Sequence, residues 1–545
     1  MNLRTGLPRI FMWALYAAPT MAVVVWASQT QPLRTVAAIV MTFFLQALLA
    51  AAVTRTWRPF FLIQFPICLV CVAFAAYTLV FSIPPGTALA AILVGTSWEE
   101  IRGLVDLPQG YQLAALLVAW SVGYLTFIWL APTGRIFADR PKRWAHLVFV
   151  LLVPITAFAA SNPAQLMDGI ALEPAVGSLK FFISDISQAR AALRSSSTVK
   201  IPYGAQKLAR KEIHILVIGE SARRDSWSVY GYSRSTTPNL DALKNEIIFL
   251  QNAVADANFT CFAVPMMLTG MTPENFNPGA VRGNIFDLAR EAGYRTVFLE
   301  NQDLSAAQAA GVDPDLIETP LDLLDRQEPR DGDLLPAFRR FLAHQDGGSL
   351  IGIHMLGTHW RYTNRYPADF QHFGSGQKTS ALSSSPAGLV DSYDNAVLYT
   401  DWFLRQIIER ARELTVPVTV TYFADHGEDL QLLDVHVGHG HPLYTQHAFE
   451  IPAFLWANTA YRNTHPEIIA ALEKNAAKEI RSHNVFYTVA DLMGIEWPGA
   501  MGERSFASDK YSPEPAMKHI AGGVPVSRPQ ISSESMALGA GTKLH

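Results

Sequence analysis

Apolar residues gather in two different ways along the chain. Before residue 162 they form five long stretches, Ile10 to Ser28, Val36 to Val53, Phe60 to Ile83, Tyr111 to Ala131 and Trp144 to Ser161. Each approaches the roughly 20 residues a helix needs to cross a bilayer. After residue 211 the runs are short: Ile213 to Ile218, Arg295 to Leu299, Leu350 to Met355 and Val418 to Phe423 read as buried strands. Between them lie amphipathic patterns such as Ile285 to Ala292 and Asn395 to Leu414. That alternation predicts an α/β fold with a mainly parallel sheet flanked by helices. The expected organisation is a transmembrane domain of five helices over 1–161, a partly amphipathic connector over 162–210, a globular domain over 211–511 and a flexible tail over 512–545.

Composition agrees with a membrane segment joined to a globular part, since half of the 545 residues are hydrophobic and only 17% are charged. A removable signal peptide fits poorly, because the first apolar stretch is followed by four more. Arg4 and Arg9 precede the first stretch, Arg55 and Arg58 follow the second, and Arg135, Arg140, Lys142 and Arg143 follow the fourth. The alternate loops hold only Arg34, and Arg102 amid Glu99, Glu100 and Asp106. Positive charge therefore keeps the N-terminus in the cytoplasm and sends everything after residue 161 outside. In a bacterium that is a multi-pass inner-membrane protein with a periplasmic domain. A net charge of -4 gives no electrostatic case for nucleic-acid binding. Cys68 and Cys71 read as packing residues of the third stretch, and Cys261 alone in the exported part excludes a disulfide within it.

The chemistry concentrates where strand runs end. Glu220-Ser221 follows the first run, Asp425-His426 follows the fourth, and ligands of parallel sheets gather outside the carboxyl ends of the strands. Ser221 opens a segment that resembles the first turns of a helix, so it reads either as an N-cap or as a hydroxyl nucleophile. The carboxylate, Asp and His are sensible zinc ligands, and a metal beside a serine would make its hydroxyl a usable nucleophile. A histidine-rich loop with His436, His439 and His441 adds ligands, and His359 follows another strand run.

Several ordered strings carry a family resemblance: Val217 to Ser221, Tyr230 to Arg234 with Thr236-Thr237-Pro238, Gly357-Thr358-His359 with Arg365-Tyr366-Pro367, Tyr393-Asp394-Asn395 with Tyr399-Thr400-Asp401, and Ala424 to Glu428. Together they resemble the inner-membrane phosphoethanolamine transferases of the alkaline phosphatase and sulfatase superfamily. The resemblance implies an alkaline phosphatase/sulfatase-like exported domain with Zn2+ held by Glu220, Ser221, Asp425 and His426, and Ser221 as the covalently modified residue. It also implies that His439, with His441 as neighbouring competitor, and His359 bind substrate or a second metal. The lack of disulfides, and the string Thr358-His359-Trp360-Arg361-Tyr362, place the chain nearer the branch acting on lipopolysaccharide core or other glycans than the disulfide-rich lipid A branch.

The implied reaction moves phosphoethanolamine from phosphatidylethanolamine to a lipopolysaccharide or glycan acceptor. Phosphoglycerol transfer would use the same groups. A sulfatase-like hydrolase or phosphodiesterase is a further rival, although Ser221-Ala222-Arg223-Arg224 lacks the proline of the sulfatase signature. A membrane-bound binding or sensor protein would be expected to lose a ligand or the nucleophile, and all are present.

Overall fold

The computed structural model describes residues 3–54, 56–81, 84–86, 89–90, 93–94, 108–130, 154–158, 160–187, 190, 200, 202–206, 211–277, 281, 283–302, 305–319, 329–343, 347–374, 386–430, 438–514 and 518–527. The chain divides into two units, one of residues 1–90 and 104–189, the other of 91–103 and 190–545.

The first unit is helical because its apolar runs are long and largely free of charge. Helices α1 (Leu3–Thr30), α2 (Leu33–Thr54), α3 (Trp57–Phe81) and α4 (Pro108–Leu130) coincide with the first four expected stretches. Tyr16, Phe60, Phe61 and Tyr124 form their common aromatic core, while Leu49, Leu62, Val118 and Trp129 face outward. Among the described residues, two helices are both long and apolar enough to cross a membrane, Leu33–Ala51 and Trp57–Leu79, and Leu117–Leu130 is a shorter apolar segment. The fifth expected stretch lies mostly outside the described residues, as does most of the connector between 191 and 210. Two short helices, α5 (Pro163–Leu172) and α6 (Pro174–Lys180), complete the unit. Glu173 between them caps α6 through the backbone N–H groups of Ala175 and Val176, and accepts hydrogen bonds from Thr20 and Gln46.

The second unit is built on a seven-stranded sheet. Its strands are β1 (Ile213–Gly219), β2 (Ile247–Phe249), β4 (Arg295–Glu300), β5 (Ile317–Glu318), β6 (Ser349–His354), β7 (Val418–Ala424) and β8 (Ala453–Ala457), in the order β2-β8-β7-β1-β6-β4-β5. Two small pairs stand apart, β3 (Asn252–Val254) with β9 (Glu479–Arg481), and the antiparallel hairpin of β10 (His519–Ala521) and β11 (Val524–Val526). All seven residues of β1 and of β7 are buried, as befits central parallel strands covered on both faces. Only β8 runs against the others, pairing antiparallel with β7 and β2, so the sheet is mixed but mainly parallel.

Four neighbouring strands end in polar groups: Asp425 follows β7, Glu220 follows β1, His354 ends β6 and Glu300 ends β4. Helices α7 (Thr260–Thr269), α8 (Ile285–Glu291), α9 (Pro386–Arg412) and α10 (Asn484–Leu492) belong to the same unit.

Two expectations fail. The segment after Ser221 forms no α-helix; it passes through 3-10 turns at Arg224–Ser226 and Ser228–Tyr230, and Ser221 itself is left-handed at φ 54. The tail expected over 512–545 contains the β10–β11 hairpin, because Gly522 and Gly523, at φ 51 and 76, supply a two-residue turn that the Pro- and Gly-rich composition disguises. Residues 528–545 lie outside the described residues.

Candidate functional site

Glu220, Asp425 and His426 are fully buried at the carboxyl ends of the two central strands, and their candidate ligand atoms all lie within 4.8 Å of one another. His426 Nε2 stands 3.5 Å from Glu220 Oε1 and 3.3 Å from Asp425 Oδ2. His426 Nδ1 faces the Gly427 carbonyl at 2.8 Å, an acceptor only, so Nδ1 donates there and Nε2 is the nitrogen turned to the carboxylates. Gly427 has no alternative here, since a Cβ would fall 1.9 Å from the His447 carbonyl oxygen.

The electrostatics are those of a cage built for a cation. Burial raises Asp425 well above the usual carboxylate range, and the charge of Glu220 raises it further. Burial acts on Glu220 in the same sense, yet His426, His359 and His439 outweigh it and hold that carboxyl low. Two facing carboxylates thus cannot both ionise comfortably on their own. Asp425 Oδ2 is buried without a hydrogen-bond donor, whereas Oδ1 accepts from the N–H groups of Ser221 and His426 at 3.1 and 2.7 Å. A divalent ion suits that orphaned oxygen, the His426 Nε2 and the two acids, and the donor set fits zinc.

Two hydroxyls reach the cage. Ser221 Oγ donates to Glu220 Oε1 at 2.6 Å, and the residue is wholly buried, with its carbonyl accepting from Thr358 and Tyr393. Thr260 Oγ1 lies 3.1 Å from both Glu220 Oε2 and His426 Nε2 and retains 7% exposure. It opens α7, where backbone N–H groups and the helix dipole favour an anion. The sequence reading missed Thr260, whose only signal is a threonine at the head of an apolar helical run. It also missed Gln302, which donates to Glu220 Oε2 at 2.7 Å and meets His354 Nε2 at 3.1 Å. Burial lowers the pKa of His354, but Glu300, 2.9 Å away, reverses the shift and carries it to about 9.

The expected histidines separate. His439 lies 4.5 Å from His426, its ring tilted by 40°, and His359 lies 5.4 Å from His439, ring centre to ring centre. His426, Glu428 and His439 form a second candidate ligand group, with His439 Nδ1 2.8 Å from Glu428 Oε2 and Tyr362 donating to Glu428 Oε1 at 2.5 Å. His441 belongs to neither group; its Nε2 is held by Asp429 at 2.7 Å. His436 lies outside the described residues.

Residues 213–495 match the family described as Sulfatase, a span that contains the whole cage. The chain belongs to the sulfatase family. It is 27% identical over 319 residues to the phosphoethanolamine transferase EptC of Escherichia coli strain K12, a match covering 54% of this chain and 53% of that relative. The chain thus spans about half the length of that curated relative. In structure it resembles the integral membrane lipooligosaccharide phosphoethanolamine transferase A of Neisseria meningitidis, with TM-score 0.68 and 22% identity over 92% of this chain and 98% of that one. This likeness extends the shared fold through the N-terminal helices. The C-terminal periplasmic domain of EcEptC from Escherichia coli, solved in complex with Zn, matches with TM-score 0.53 and 22% identity, over 60% of this chain and 96% of that domain.

Proposed function

We propose that this sulfatase-family chain is a zinc-dependent phosphoethanolamine transferase of a bacterial inner membrane, with phosphatidylethanolamine as donor and a periplasmic lipopolysaccharide or glycan as acceptor. The observation that carries the reading is a helix-opening hydroxyl, Thr260, touching both Glu220 and His426 of the buried cage. Support for the donor comes from the transferases the chain resembles, and for zinc from the donor set and the Zn complex of the related domain. Four helical stretches, with a fifth expected over 144–161 and the connector following over 162–210, would anchor the chain in the membrane that holds the donor. The catalytic domain is proposed to run from 211 to the end of the hairpin at 527.

Glu220, Asp425 and His426 would hold the zinc, which when bound supplies Lewis acidity at the nucleophile. In the first half-reaction Thr260 Oγ1 bonds to phosphorus, the bond from phosphorus to the diacylglycerol oxygen breaks, and the threonine proton ends on diacylglycerol. In the second, an acceptor hydroxyl bonds to phosphorus, Thr260 leaves, and the acceptor proton returns to Thr260. His439, whose ring lies near that of His426, and His359, whose ring lies near that of His439, would bind the phosphoryl oxygens. Ser221 competes for the nucleophile role, but its complete burial and its bond to Glu220 favour a role in orienting the carboxylate.

The test is the mass of the intact protein after incubation with labelled phosphatidylethanolamine. A phosphoethanolamine adduct is expected in the wild type and in Ser221→Ala, and its absence in Thr260→Ala. The reverse pattern returns the nucleophile to Ser221. An adduct formed from phosphatidylglycerol alone makes the chain a phosphoglycerol transferase, and release of free headgroup without acceptor transfer makes it a hydrolase.

A further inference from the structure

Asn258 precedes Thr260 by two residues, is fully buried, and uses all four of its polar groups to join three segments. Its N–H donates to Ile520 O at 3.1 Å and its carbonyl accepts from Gly440 N–H at 2.7 Å. Its side-chain Nδ2 donates to His441 O at 2.8 Å, and Oδ1 accepts from Gly522 N–H at 2.9 Å. One residue thus ties the loop that delivers Thr260 to the loop that delivers His439, and ties both to the C-terminal hairpin.

The arrangement is braced from behind. Asp256, also fully buried, accepts from Arg481 Nε at 2.8 Å, Ser482 Oγ at 2.8 Å and the His483 N–H at 2.7 Å, while its carbonyl accepts from Ile520 N–H at 2.8 Å. The hairpin tip lies directly on the histidine loop: a Cβ at Gly522 would come 2.8 Å from Pro442 N and 2.9 Å from Gly440 O. A side chain without the amide would leave the Gly522 N–H and the His441 carbonyl buried without these partners.

We propose that Asn258 is a positioning residue for group transfer, acting with the C-terminal hairpin as a clamp that fixes the separation of Thr260 and His439. The inference rests on the transfer reading above. Misplacement of reacting groups by about 1 Å costs as much as a hundredfold in rate, so a clamp on both loops acts on turnover more than on donor binding.

The experiment uses the full chain in detergent and labelled phosphatidylethanolamine, following diacylglycerol release together with hydrogen exchange at Gly440 and Gly522. Asn258→Asp keeps the shape and Oδ1 but turns the donor facing the His441 carbonyl into an acceptor. We expect kcat to fall about tenfold with KM unchanged, and both amides to exchange faster. Gly522→Ala should reproduce the kcat loss, and the double variant should be no worse than either single one, as for residues acting as one unit. Unchanged kcat in Asn258→Asp, or unchanged exchange at both glycines, overturns the clamp. Failure of the wild type to release diacylglycerol overturns the transfer reading instead, and the exchange measurement then still decides whether Asn258 couples the loops.

Discussion

Glu220 is steered by three side chains of its own unit: Ser221 donates to Oε1, while Thr260 and Gln302 bond Oε2. Gln302 also donates to the Met355 carbonyl at 2.7 Å, so its amide is fixed before any metal arrives. Partners of this kind orient a ligand, and losing one commonly weakens metal binding by about 10- to 100-fold. Gln302→Ala is therefore expected to weaken zinc binding by roughly that factor in a chelator-competition titration; unchanged affinity would show that Ser221 and Thr260 orient Glu220 without it. The acids and His426 were legible in the sequence because Glu220 and the pair Asp425-His426 come directly after the two seven-residue, mainly apolar runs. Thr260 and Gln302 were not, since Thr260 heads a helix preceded only by the three-residue β3 and Gln302 trails its strand by two residues. Only the folded sheet brings them onto Glu220.

Elements were legible in proportion to the length of their pattern. β1 and β7 carry seven buried residues each and declare themselves, whereas β5, β3 and β9, of two or three residues, are too short to show any period. The helix expected after Ser221 fails for a local reason, as Ser221 takes a left-handed turn and its N–H goes to Asp425 rather than to a helix cap. Glu173 is the opposite case, a cap with no periodic signal around it. It satisfies the first turn of α6 and gathers Thr20 from α1 and Gln46 from α2, at 3.0 and 2.8 Å. Glu173→Ala removes the cap and leaves the buried Thr20 hydroxyl and the half-buried Gln46 amide without it, an expected loss of about 1–3 kcal/mol. Thermal unfolding of the full chain in detergent reads this as a lower transition temperature, and an unchanged transition would make the carboxylate dispensable to the helical unit.

At the scale of the whole molecule, the change of pattern near residue 211 separated a stretch of long apolar runs from the sheet-bearing part, but composition hid how far the sheet-bearing part extends. Its end is secured by charge. Arg504 pairs with Glu514 at 2.8 Å, Glu514 with His483 Nε2 at 2.9 Å, and His483 Nδ1 with Asp256 at 2.9 Å, so one buried imidazole joins the C-terminal segment to the loop before Thr260. Burial depresses the pKa of His483, but Asp256 and Glu514 outweigh it and raise it above the usual 6.5. A raised imidazole contributes stability that is complete below pH 6.5 and is lost as pH climbs through the folded value. Asp256 and Glu514 are held low by these same cations despite their burial, so their contributions are complete above 3.8 and 4.5 and are lost only on acidification through their folded values. Stability from this chain of charges is therefore greatest between about pH 4.5 and 6.5 and declines on the alkaline side. His483→Gln removes the imidazolium between two acids that keep only Arg481 and Arg504 as cations, which should cost about 1–3 kcal/mol at pH 6 and flatten the alkaline decline. Melting curves of wild type and variant between pH 6 and 10 check this. Parallel decline of the two would mean that His483 carries no charge in the fold.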